Sequence, residues 1–164
     1  MTGAAVAVVV LYGSELGTAE LAADGVTEVL AKVGEVSAYS MADFDIADLD
    51  SATFYVLVCS TYGSGEFPTE AEPFFDALDL HRPDLGGLRF AVFGLGDSVY
   101  ETTYNRAGEL AAEKFSALGA IQHGEHGRHD GSEAVPAQDM ARDWARRIAA
   151  HCVWVSAAGQ SISH

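Results

Sequence analysis

Three short stretches of this chain hold residue types whose spacing could do chemistry. The first is Tyr12-Gly13-Ser14-Glu15-Leu16-Gly17-Thr18-Ala19-Glu20. It follows the apolar run 6–11 and opens a helical pattern. A buried strand, a turn of small residues and a helix start place several backbone N–H groups at the positive end of a helix dipole. Such a turn binds phosphate mainly through main chain. It lacks the Gly-Lys-Ser/Thr ending of a P-loop and the spacing Gly-x-Gly-x-x-Gly, and it has no Lys or Arg. A monophosphate held by amides and hydroxyls suits it better than a triphosphate with Mg²⁺. The plainer reading is a strand–helix turn capped by Ser14 or Thr18.

The second stretch is Ser60-Thr61-Tyr62-Gly63-Ser64-Gly65-Glu66-Phe67-Pro68, and the third is Gly94-Leu95-Gly96-Asp97-Ser98-Val99-Tyr100. Each follows an apolar run, contains glycines that let backbone approach a ligand closely, and offers one tyrosine. Two tyrosines at one sheet edge can sandwich a flat ring by offset stacking. The alternative for each alone is a tyrosine filling a surface loop. Together, a phosphate turn, two aromatic faces and free amides fit flavin mononucleotide (FMN). Its phosphate would lie on Ser14, Glu15, Leu16, Gly17, Thr18 and Ala19, and its ring between Tyr62 and Tyr100.

These loops need a scaffold that brings them to one edge. Apolar runs of strand length occur at 4–11, 54–59 and 89–94, with weaker ones at 33–39 and 120–124. Continuous rather than alternating apolar residues predict parallel strands covered on both faces. Helical patterns fall between them. The first, 19–33, is expected to bury Leu21, Ala22, Val26, Val29, Leu30 and Val33. Others occupy 70–80, 109–118 and 137–150, the last after Pro136. Residues 41–49 read as a short turn-rich connection. Alternation of strand and helix predicts an α/β fold: a doubly wound, five-stranded parallel sheet in a three-layer α/β/α arrangement. Ligands of such folds lie at the carboxyl ends of the strands, where all three loops begin. One domain is expected over 1–152, with 153–164 a frayed tail that has lost periodicity.

The loops resemble those of the flavodoxins, and the resemblance covers nearly the whole chain. Ser14-Glu15-Leu16-Gly17-Thr18-Ala19 is similar to the family's phosphate loop Ser/Thr-x-Thr-Gly-x-Thr/Ala, with Leu16 in place of the usual Thr. Ser60-Thr61-Tyr62-Gly63-Ser64-Gly65 resembles its second loop, and Gly94-Leu95-Gly96-Asp97-Ser98-Val99-Tyr100-Glu101 its third. The chain looks most like short-chain members, in particular the MioC-type flavodoxins and the flavodoxin-like domains of diflavin reductases. Pro73-Phe74-Phe75 and Arg82-Pro83-Asp84-Leu85 also look MioC-like, whereas the third loop is closer to classical flavodoxins. The resemblance implies an FMN-containing carrier of single electrons, working through semiquinone and hydroquinone states. Electrons would pass from a flavodoxin reductase to an acceptor enzyme. It also implies a flipping peptide at Gly63 and ring contacts from the amides of Gly96 and Asp97. No side chain need be catalytic, because the ring does the redox chemistry. The alternative is an FMN-dependent quinone reductase on a similar fold, though two tyrosines closing both ring faces argue against its substrate pocket. A phosphoacceptor receiver domain is discounted, since Leu11-Tyr12-Gly13 and Ser60-Thr61 lack the acidic residues it needs.

The chain has 24 acidic and 9 basic side chains among 164 residues, for a net charge of −15 with His neutral. That field repels nucleic acid and anionic membranes and favours basic protein partners. Glu66, Glu70, Glu72, Asp76, Asp79 and Glu101 are expected near the ring edge, where their charge disfavours an anionic reduced ring. Cys59 and Cys152 form no disulfide framework. The apolar start lacks a basic region and is too short to span a bilayer, so it reads as the first strand of a cytoplasmic protein; a monomer is expected. His123, His126 and His129 share a glycine-containing span with Glu125 and Asp130. Their spacing matches no ligand motif, and the span reads as a solvent-facing loop beside the flavin.

Overall fold

The apolar runs become the strands of one parallel sheet. The computed structural model describes residues 6–14, 17–61, 67–96, 106–130 and 135–162, with residues 6, 130 and 152–162 described by backbone alone. Strands β1 (Val6–Gly13), β2 (Gly34–Ser40), β3 (Phe54–Ser60) and β4 (Arg89–Gly96) pair in the order β2-β1-β3-β4. The fifth position is filled by two short strands, β5 (Ile121–Gln122) and β6 (Gly127–Asp130), both parallel to β4. The single run expected at 120–124 is thus replaced by a broken strand. Gly124 turns the chain at φ +72°, and the Trp144 indole N–H donates to the Glu125 carbonyl at 2.9 Å, holding the interruption in place.

Helices α1 (Thr18–Leu30) and α4 (Ala137–Ile162) cover one face, and α2 (Glu72–His81) and α3 (Arg106–Ala117) cover the other. Strand alternation sorts the core accordingly. Val8, Val10, Phe54, Val56, Val58, Ala91 and Phe93 face α1 and α4, while Leu11, Tyr55, Leu57, Phe90 and Val92 face α2 and α3. This is the three-layer, doubly wound arrangement predicted.

Two local expectations are corrected. Leu21 is 54% exposed, not part of the buried face. At 100° per residue it projects opposite Ala19, Ala23, Val26 and Leu30, which are buried. Residues 153–162, expected to fray, continue α4 as helical backbone to Ile162. No proline interrupts 137–162, and its one glycine, Gly159, comes near the end, so nothing local stops the helix earlier. The connection 41–49 is turn-rich as expected. It forms 3-10 turns at Met41–Asp43 and Ile46–Asp48, where the amides of Ala42 and Ala47 donate to the side chains of Ser40 and Asp45.

Candidate flavin site

Register decides where the three loops begin. Gly13 of β1 lies beside Cys59 of β3, and Cys59 beside Gly94 of β4. β1 ends on this row, while β3 runs one residue beyond it to Ser60 and β4 two residues beyond it to Gly96, so the three strands end within two residues of one level. The row is tightly packed from below. A Cβ at Gly13 would stand 2.7 Å from Ala71 Cβ and 3.1 Å from Met41 Sδ, so only glycine fits there.

The first loop has the donor set of an anion site. Ser14 is buried, and its Oγ accepts from the amides of Gly17 (2.7 Å) and Ala19 (3.2 Å). Gly17 precedes α1 in the left-handed conformation, φ +89°, with open space where a Cβ would stand. It has no side chain to cap the helix, so the first turn's donors converge on Ser14 and on the space outside it. Thr18 is exposed at the mouth, whereas the Ala19 methyl lies in the core and its amide is held by Ser14. Amides, one hydroxyl and a helix N-terminus suit a phosphate monoester, and in this the residues present fit FMN.

The second and third loops are tied together. The Thr61 amide donates to the Leu95 carbonyl at 3.0 Å, and the Ala107 amide at the start of α3 donates to Thr61 Oγ at 3.2 Å. Thr61 thus serves as a cap for α3, a role its sequence position did not signal. Leu95, proposed from the sequence as a flavin contact, is buried against the α1–α4 layer. Only its backbone can face a ligand. Gly94 is packed at the base of the third loop, its Cα 3.1 Å from where a Gly108 Cβ would stand, and Gly96 ends β4. Glu15, Leu16, Tyr62, Gly63, Ser64, Glu66, Asp97, Tyr100 and Glu101 lie outside the described residues.

Beneath this edge sits a polar group that sequence reasoning placed only on the rim. Glu70 Oε1 is buried and meets no hydrogen-bond partner among the described residues. Burial raises the pKa of the Cys59 thiol, and the Glu70 charge raises it further. Cys59 is therefore a neutral core group and not a nucleophile. Burial also raises the pKa of the Tyr12 phenol, with Glu20, Glu70, Asp24 and Asp43 adding to it. Of the remaining acids, Asp79 is held by Lys114 at 2.8 Å, while Glu72 and Asp76 are exposed.

The three histidines do not form one solvent-facing loop. The His123 amide donates to the Phe90 carbonyl near the start of β4, and its ring meets Phe54 edge-on at 6.1 Å. His129 pairs with Leu95 near the end of β4, where its Nε2 lies 2.8 Å from the Val135 carbonyl and the residue is 7% exposed. His126 lies between them, its Nε2 buried against α3 at Gly108. A rise of about 3.3 Å per residue spreads the outer two over some five residues of sheet, roughly 17 Å.

Comparison with known proteins agrees with this geometry. The family model described as Flavodoxin matches residues 10–144, which hold all three loops. The chain belongs to the flavodoxin family. Its relatives include the MioC homolog of Haemophilus influenzae, 32% identical over 138 residues, covering 82% of this chain and 91% of that protein. The mitochondrial pyruvate dehydrogenase (NADP(+)) of Euglena gracilis is 38% identical over 116 residues, covering 69% of this chain. The match spans only 6% of that much longer protein. Among solved structures, a cysteine-to-serine mutant of the flavodoxin from Pseudomonas aeruginosa superposes with a TM-score of 0.81. It is 32% identical, with 90% of this chain and 99% of that one covered. As a flavodoxin, the chain is an FMN-binding electron carrier. Among the described residues, no helix is long and apolar enough to cross a membrane.

Proposed function

We propose that this flavodoxin is a cytoplasmic, monomeric shuttle taking single electrons from a basic-surfaced flavodoxin reductase to an acceptor enzyme, with no catalysis of its own. The convergence of the three loops on the Gly13–Cys59–Gly94 row, with a main-chain phosphate turn at one corner, carries this reading. Residues 14–19 take the FMN phosphate. Tyr62 and Tyr100 cover the two ring faces, and the backbone of 60–64 and 94–97 meets the ring edge. Bound FMN supplies the redox chemistry, and the chain binds it, orients it and limits water around it.

Apoprotein mixed with excess FMN and then desalted tests the reading. One flavin retained per chain, with fluorescence quenched by stacking and with reduction by a flavodoxin reductase in sub-stoichiometric amount, is the expected result. Absence of retained flavin would overturn it. Steady oxidation of NADH by the purified protein alone, with a quinone as acceptor, would instead favour a quinone reductase.

A further inference from the structure

The connection from β2 to β3 leaves one flank of the molecule thinly covered. A parallel crossover usually carries a helix, but residues 41–53 carry two 3-10 turns. Between these turns and α2 lies a groove of about 410 Å³, lined by Met41, Phe44, Ile46, Pro73, Phe74 and Ala77, with Asp45 and His81 at its edges. Leu80, three residues beyond Ala77 on the helix surface, is 77% exposed. Acidic side chains stand on both elements that bound it. Asp43, Asp45 and Asp48 are exposed on the turns, and Glu72 and Asp76 are exposed on α2. The basic residues beside it, His81 and Arg82, stand together at the carboxyl end of α2.

We infer that this groove docks a basic amphipathic helix of a partner protein. An apolar floor flanked by carboxylates is complementary to a helix with apolar anchors at i, i+3, i+4 and i+7 and lysine or arginine beside them. A second copy of this chain would bring the same acidic rim and a further net charge of −15 against it. A small apolar compound would leave the rim without a role. The inference goes beyond the electron-carrier reading, because neither the floor nor the rim belongs to the three flavin loops.

The test uses ¹⁵N-labelled, FMN-loaded protein and an amidated leucine–lysine peptide with leucines at those helical spacings. A peptide of the same composition with shuffled leucines is the control. Amide shifts should concentrate on residues 41–48 and 72–82 and saturate at one peptide per chain, with the shuffled peptide about tenfold weaker. Asp43→Lys combined with Asp45→Asn should weaken binding about tenfold; asparagine keeps the oxygen that accepts from the Ala47 amide. Ala77→Trp should fill the groove and remove saturable binding. Equal binding of the two peptides, shifts scattered over the surface, or unchanged affinity in both variants would overturn the inference. Self-association of the protein through these residues would overturn it too. Flavin absorbance, read on the same samples, separates a failed electron-carrier reading from a failed groove.

Discussion

At the scale of single residues, Ser14 ties the start of α1 to the turn proposed to take the phosphate. Its hydroxyl takes two amides at the start of α1, so Ser14→Ala should cost the apoprotein about 1 kcal/mol. FMN affinity should fall in the same variant, and Ser14→Thr should restore part of both. Urea unfolding of apoprotein and a fluorescence titration with FMN measure the two effects. An alanine variant unchanged in both would mean water serves those amides equally well. His126 provides a second residue-scale expectation. Burial pushes its imidazole down to about 4, with Arg128 adding to the effect and Glu109 opposing it. The unfolded chain titrates there near the ordinary value of about 6.5, so between these pH values it binds a proton that the native state excludes. This contribution to stability is complete above pH ~6.5, is lost as the pH falls towards ~4, and is level below that. Burial, Arg89 and His151 lower His123 as well, giving a contribution of the same sign. His126→Gln should flatten the dependence of the urea midpoint on pH in that window, and an unaltered slope would refute the assignment.

At the scale of elements, the close approach of α1 and α4 is fixed by glycine. A Cβ on Gly25 would stand 2.7 Å from the Gln138 carbonyl oxygen and 3.2 Å from Arg142 Cγ. Backbone cannot yield as a side-chain tip can. Gly25→Ala should therefore cost about 1–3 kcal/mol through overpacking, set against a helix-propensity gain of about 1 kcal/mol. Net destabilisation in thermal unfolding is the expected outcome, with the nearby Arg142–Glu28 ion pair between the two helices weakened. Sequence patterns revealed the elements where the local signal is strong. The runs at 54–59 and 89–94 are buried on both faces, so their apolar residues are continuous and each became a central strand. Gly17 was legible as part of the turn between β1 and α1 from the run of small residues around it, and the structure gives it φ +89°. The fifth strand was not legible, because its break depends on the indole of Trp144, some twenty residues away, reaching the Glu125 carbonyl. The dispersal of the histidines follows from that same break. Thr61 as a cap for α3 depends on a contact across 46 positions, which no local spacing encodes. Leu21 was misplaced by its composition: it is apolar, but the helical angle puts it outward.

At the scale of the whole molecule, the charge of −15 sets the rate of encounter more than its strength. Reduction by a basic reductase should slow steeply as salt is raised from low ionic strength, where the Debye length shrinks to about 8 Å at physiological salt. FMN affinity, on the proposal that main-chain donors hold the phosphate, should respond much less. Stopped-flow rates that ignore salt would indicate docking through apolar contacts alone. The position of β1 has a different kind of consequence. It lies in the middle of the sheet, between β2 and β3, yet of the strands of this sheet it leaves the ribosome first. By the time Ser60 has emerged, β1 can be paired on both sides, but only the first of the three loops is finished. The third is not begun until after β4 has been made. Cofactor loading is therefore a late event in the birth of the chain, arriving at a sheet whose first four strands have already been made.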